Sequence, residues 1–149
     1  MNQVRQNQLE ADAMNDGDEI AFTLEFIARN EIDITPLVYG IFFDASPEYR
    51  EVFKVVDPAQ PPHGCGQMLF EILSLIQDQA IGKPYVANYM KDIASQHKSF
   101  GVGSSAMYKK FLQALTEAIR QIMGREWTPS HAAAWERQTT SLVPLFLAP

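Results

Sequence analysis

Thr35-Pro36-Leu37-Val38-Tyr39-Gly40-Ile41-Phe42-Phe43-Asp44-Ala45-Ser46-Pro47-Glu48-Tyr49-Arg50-Glu51-Val52-Phe53 is the stretch on which the fold turns. It holds two helix starts. Thr35 and Ser46 each offer a hydroxyl that can accept from an unpaired N–H of a first helical turn. Each is followed by proline, whose missing N–H is harmless at the first helical position. Thr128-Pro129 repeats the signal near the C-terminus. Between these marks the apolar residues recur at helical spacing. Upstream, Ile20, Leu24 and Ile27 share a face that Phe22 and Phe26 widen.

Downstream, residues 57–66 hold Pro58, Pro61, Pro62, Gly64 and Gly66 and read as a loop. Leu69, Ile72, Leu73 and Ile76 then mark a helix that Gly82-Lys83-Pro84 breaks. A further helix is expected from Pro84 to Lys98, and Ser99 to Ser104 forms the next break. Tyr108, Phe111, Leu115, Ile119 and Ile122 make the longest periodic run, ended by Gly124. The last helix starts at Thr128-Pro129, carries Trp135 and Leu142, and is expected to stop near Pro144. Asn15-Asp16-Gly17 reads as a turn, so residues 1–17 are taken as a polar extension and 18–149 as the domain. No alternating strand of useful length and no internal repeat is found. About seven helices with short links give an all-α single domain.

The chain has 149 residues, 46% of them hydrophobic, enough for one packed core. Its net charge of −6 and pI near 5.0 repel phosphate backbones, so nucleic acid is not an expected partner. The apolar run around Ile72 is interrupted by Glu71, Ser74, Gln77 and Asp78, so no membrane span is expected. The polar N-terminus lacks a signal-peptide core, and the single cysteine, Cys65, cannot pair internally; both point to the cytoplasm.

His97 is the first residue that carries chemistry. It lies near a helix end, in Ile93-Ala94-Ser95-Gln96-His97-Lys98-Ser99-Phe100-Gly101-Val102. A neutral imidazole there can serve as an axial ligand of haem iron, its second ring nitrogen donating to a free carbonyl that fixes the tautomer. The alternative is a helix-end histidine answering the dipole.

Val38-Tyr39, Phe43, Ser46-Pro47-Glu48-Tyr49-Arg50-Glu51-Val52-Phe53, Leu69-Phe70, Ile93-Ala94, His97, Ser99-Phe100 and Val102 occur in the order and spacing of a known family. Together they resemble bacterial single-domain haemoglobins and the globin domain of flavohaemoglobins. Trp135, after a run of alanines, resembles that family's last helix. The likeness covers about residues 20–142. It implies a globin fold around one haem pocket, with haem b as cofactor. His97 would be the proximal iron ligand, and Phe53 the aromatic residue at the haem face. Tyr39 would be the distal tyrosine whose hydroxyl donates to bound oxygen, and Leu69 the apolar distal residue. Ile93, Phe100, Val102, Met107 and Phe111 would line the proximal side and the edge.

The chain departs from the family at two places. Where Gln or His is common on the distal side, the spacing gives Cys65, so the distal partner is Cys65, His63 from the loop, or Gln67. Where flavohaemoglobins have a proximal tyrosine, this chain has Met107, with Tyr108 beside it. The resemblance implies reversible binding of oxygen, carbon monoxide or nitric oxide. A nitric-oxide dioxygenase making nitrate is the enzymatic alternative; with no flavin or nicotinamide module in these residues, it is expected to need a separate reductase. A gas or redox sensor and a globin fold without haem are the other readings.

Overall fold

The computed structural model describes residues 2–53, 65–99 and 105–147, with side chains over 16–51, 66, 68–95 and 106–145. Its α-helices are α1 (Asn2–Arg29), α2 (Thr35–Ala45), a single turn α3 (Arg50–Phe53), α4 (Cys65–Ala80), α5 (Val86–Ser99), α6 (Ser105–Met123) and α7 (Pro129–Leu147). Short 3₁₀ turns, Pro47–Tyr49 and Gly124–Glu126, precede α3 and α7. No strand occurs among the described residues, and no helix among them is long and apolar enough to cross a membrane. The all-α architecture expected from caps and periodicity is the one observed.

The helix starts are built by three different devices. At Thr128 the hydroxyl accepts the His131 N–H at 3.2 Å, while His131 Nδ1 accepts the Thr128 N–H at 3.0 Å. This is a reciprocal cap with histidine in the place where Glu or Gln usually stands. At α2 the cap has moved upstream. Asp33 Oδ1 accepts the Thr35 N–H at 3.1 Å, and the ladder begins with Val38 donating to the Ile34 carbonyl. Thr35 is therefore inside the helix rather than before it. At Ser46 the hydroxyl makes no capping bond and lies buried with no partner among the described residues; Pro47 and the Ser46 carbonyl, which accepts from Tyr49, start the turn.

Two sequence expectations are corrected. Asn15-Asp16-Gly17 is not a turn: α1 runs straight through it. The reason is tertiary. Asp16 is buried because α7 supplies its partners, with Arg137 Nε donating to Oδ2 at 3.0 Å, Arg137 Nη2 to Oδ1, and Gln138 Nε2 to Oδ2 at 3.0 Å. Gly17 is there for room, since a Cβ would meet Ile81 Cγ2 at 3.0 Å where α1 crosses the end of α4. Pro144 does not stop α7 but sits within it. It is exposed and close to the helix end, so the lost N–H and the strained carbonyl one turn back both face water. Gly124, by contrast, ends α6 as expected, and its φ of +52° is one that side-chain-bearing residues rarely adopt.

The interior divides into two apolar clusters. The larger joins α1, α2 and α4 to α7 through residues such as Ile20, Val38, Leu69, Ile76, Met90, Leu115, Ile119, Trp135 and Leu142. Trp135 is fully buried; its Nε1–H donates to Thr23 Oγ1 at 2.9 Å, and Thr23 in turn donates to the Ile20 carbonyl at 2.7 Å. The smaller cluster is aromatic: Tyr39, Phe42, Phe43, Met107 and Ala114, with Ile41, Tyr49, Met68 and Phe111 packed against it.

The Asp16–Arg137 pair is expected to show an asymmetry. The Asp16 side chain is 4% exposed and the Arg137 side chain 53%. Arg137→Ala leaves a buried carboxylate with Gln138 and should cost about 2–3 kcal/mol, whereas Asp16→Asn leaves a guanidinium that is already half exposed and should cost about 1 kcal/mol. Burial pushes the Asp16 carboxyl up, but the hydrogen bonds from Arg137 and Gln138 and the guanidinium charge outweigh it and hold the group below its ordinary value. A carboxyl lowered in the fold contributes fully above its unfolded-chain value and loses that contribution as pH falls through the folded one. The pair's contribution is thus complete at neutral pH and fades below about pH 4. Urea midpoints of the two variants, compared at neutral pH and in acid, check both statements. Equal midpoints at neutral pH would remove the asymmetry.

Candidate functional site

The smaller cluster is where the candidate residues converge. Position 39 falls on the inner face of α2 with Phe42 and Phe43, because i, i+3 and i+4 share one side of a helix. All three are fully buried. The Tyr39 ring lies 5.8 Å from that of Phe43 and 5.5 Å from that of Phe111 on α6. Phe42 meets Phe43 at 5.3 Å, Phe111 edge-on at 5.4 Å, and Tyr49 stacked at 5.4 Å. Met107, one turn before Phe111, is in the same cluster, and the first turn of α4 reaches it through Met68. The starts of α4 and α6 and the turn before α3 therefore meet on one aromatic wall presented by α2.

Cations rim this wall. The Arg50 guanidinium lies 5.9 Å from the Phe43 ring and 3.2 Å from Asp44; Lys110 Nζ lies 6.0 Å from the Tyr49 ring and 3.7 Å from Glu48. Next to Met107, burial pushes the Tyr108 phenol up, so it stays neutral at physiological pH.

Tyr39, Met107 and Phe111 are thus brought together in one cluster. Leu69 and Ile93 belong with the larger core instead, Leu69 buried in it and Ile93 packed against it. Phe111 touches both clusters. His97 lies in the last turn of α5, seven residues after Met90 and four after Ile93. Only five residues separate Ser99 from Ser105, so the end of α5 lies within roughly 20 Å of the start of α6 that carries Met107. Phe53 closes α3 and Cys65 opens α4; their side chains, with those of Gln67 and His97, lie outside the described residues. His63, Phe100 and Val102 lie outside them altogether.

The sequence reading missed Phe42, Met68, Tyr49 and Ala114 as members of this wall. Phe42 was legible as the i+3 neighbour of Tyr39. Met68 was not, because the α4 stripe Leu69-Ile72-Leu73-Ile76 names the face toward the larger core, and only the helix packing shows that the residue before it meets α2. His131 was missed as well; the box Thr128-x-x-His131 is the signal that could have found it.

These residues suit a flat apolar group. The wall is aromatic and thioether-bearing, and its polar atoms are two phenols. That balance of apolar lining with few polar groups is the one that cofactor sites use. Among the described residues no three His, Cys, Asp or Glu side chains cluster, so a metal held by protein ligands alone is not offered by them.

No curated protein matches this chain. The family model described as Globin matches residues 37–144, from the first turn of α2 to Pro144 in α7. Proteins of that family generally bind haem and, through it, small gaseous ligands. The match takes in α2 from its third residue, α3 to α6 whole and most of α7, with the aromatic wall and the α5 histidine inside it, and the chain belongs to the globin family.

Proposed function

We propose that this chain binds haem through His97 and takes up oxygen or another diatomic gas reversibly, as a globin of the bacterial kind. The observation that carries the reading is the fully buried Tyr39 set among Phe43, Phe111 and Met107, on the wall that α2 presents to the starts of α4 and α6. When bound, haem supplies an iron with an open coordination position for a diatomic ligand. The group we propose is haem b, as the family resemblance implies; the single cysteine does not offer a double thioether attachment.

In this reading His97 would hold the group from the proximal side. Tyr39 would donate a hydrogen bond to a ligand that gains negative charge, a bond that apolar surroundings strengthen. Phe53 would cover the face, Leu69 would be the apolar distal residue, and Met107 and Phe111 would close the edge. Ile93, Phe100 and Val102 would keep water from the proximal side. Cys65, His63 or Gln67 would add the second distal contact.

The visible spectrum tests this directly. A Soret band that shifts on reduction and again with carbon monoxide supports the reading; a featureless spectrum that added haemin does not restore overturns it. Tyr39→Phe then tests the distal role. A bond of about 1.5–3 kcal/mol to a charged acceptor predicts oxygen leaving about 10- to 100-fold faster. Carbon monoxide, a poor acceptor, should change far less. Equal effects on the two gases would remove Tyr39 from the role.

A further inference from the structure

His131 is one of the few buried polar residues, 5% exposed at the start of α7. Counting Thr128 as the cap, it holds the third helical position, where a capping box uses a carboxylate or amide oxygen to accept the cap residue's N–H. Here the acceptor is Nδ1, 3.0 Å from the Thr128 nitrogen. A nitrogen that accepts an N–H carries no proton, so the ring's hydrogen is on Nε2, which lies 3.0 Å from Glu19 Oε2 and donates to it. The ring stacks on Phe22 at 5.1 Å and 14°, and lies 5.8 Å from Trp127.

We propose that His131 is a proton-operated clasp on the Trp127–Thr128 corner between α6 and α7. The neutral ring closes the cap. Taking a proton from water at Nδ1 turns the acceptor into a second donor facing the Thr128 N–H, and that N–H passes to water. The Nε2–H bond to Glu19 is present in both forms, so the ring stays tied to α1 and the opening is confined to the corner. Among the described residues Glu19 is the charged side chain in contact with the ring. Asp18 and Glu25 on α1, Arg125 and Glu126 in the preceding turn, and Glu136 on α7 are exposed.

Hydrogen exchange of the Thr128 amide in the full chain, corrected for the intrinsic pH dependence of exchange, reads the clasp. Between about pH 8 and pH 5, where histidines change charge, its protection should fall about fivefold or more. His131→Gln, which restores an oxygen acceptor, should keep the protection at both ends of that range; His131→Ala should lack it at both. If His131→Ala does not fold, ¹⁵N shifts of the His131 ring in the parent chain take its place, with Nδ1 unprotonated at the upper pH as the expected result. Protection that does not change with pH in the parent chain, or that falls equally in His131→Gln, overturns the proposal.

Discussion

His97→Ala is expected to leave the chain folded but without stable pigment: the Soret band of the purified protein should be lost or reduced at least tenfold against protein concentration. The fold should survive because α5 is held by Val86 and Met90, both in the larger core, and His97 lies in the helix's last turn. Truncation to alanine also favours the helix locally. An imidazole ligand is worth far more to iron than to packing, so the loss is chemical rather than structural. Added imidazole should fill the space and return a Soret band, while far-ultraviolet circular dichroism stays as in the parent chain. Undiminished pigment in His97→Ala would falsify the assignment of His97 as the ligand.

Trp135→Ala is expected to cost about 3–5 kcal/mol, the usual range for an aromatic removed from a packed core. Trp135 has no exposed surface, and its Nε1–H is the donor to Thr23 Oγ1 at 2.9 Å that binds α7 to α1. Deleting it opens a cavity and removes Thr23's partner together. Thr23 still donates to Ile20 at 2.7 Å, so the polar loss is partial and the cavity dominates. Trp135→Phe separates the two, keeping most of the volume and losing the N–H, and should cost about 1–2 kcal/mol. Chemical denaturation of both variants gives the comparison. A Trp135→Ala cost under about 1 kcal/mol would mean that the site collapses onto the gap, contrary to the tight packing described.

Local signals read well from the sequence where a local device governs. Thr128-Pro129 marked a helix start because its cap closes within four residues, and Gly124 marked an end because its φ excludes most side chains. The signal at Asp16-Gly17 failed because what keeps Asp16 in a helix is Arg137, 121 positions away. Pro144 failed as a stop because the penalty of a proline depends on whether its turn faces the core or water. At Thr35 the start was legible but the capping group was not: Asp33 sits two residues upstream, and either oxygen could have served. The same division applies to the candidate site. Phe111 lies on a stripe that the periodicity names, whereas Tyr39 and Met107 were legible only through the family resemblance. Met68 owes its place to how α4 lies across α2, which no stripe on α4 alone records.

The two apolar clusters share Ile41 and Phe111 as joints. The larger one ties α1 to α7 and asks nothing of the aromatic corner for its own closure. On the proposed haem-binding reading, a chain built this way would fold before it is loaded. The supply of the prosthetic group would then govern how much coloured protein a cell holds, and not how much of the polypeptide escapes degradation.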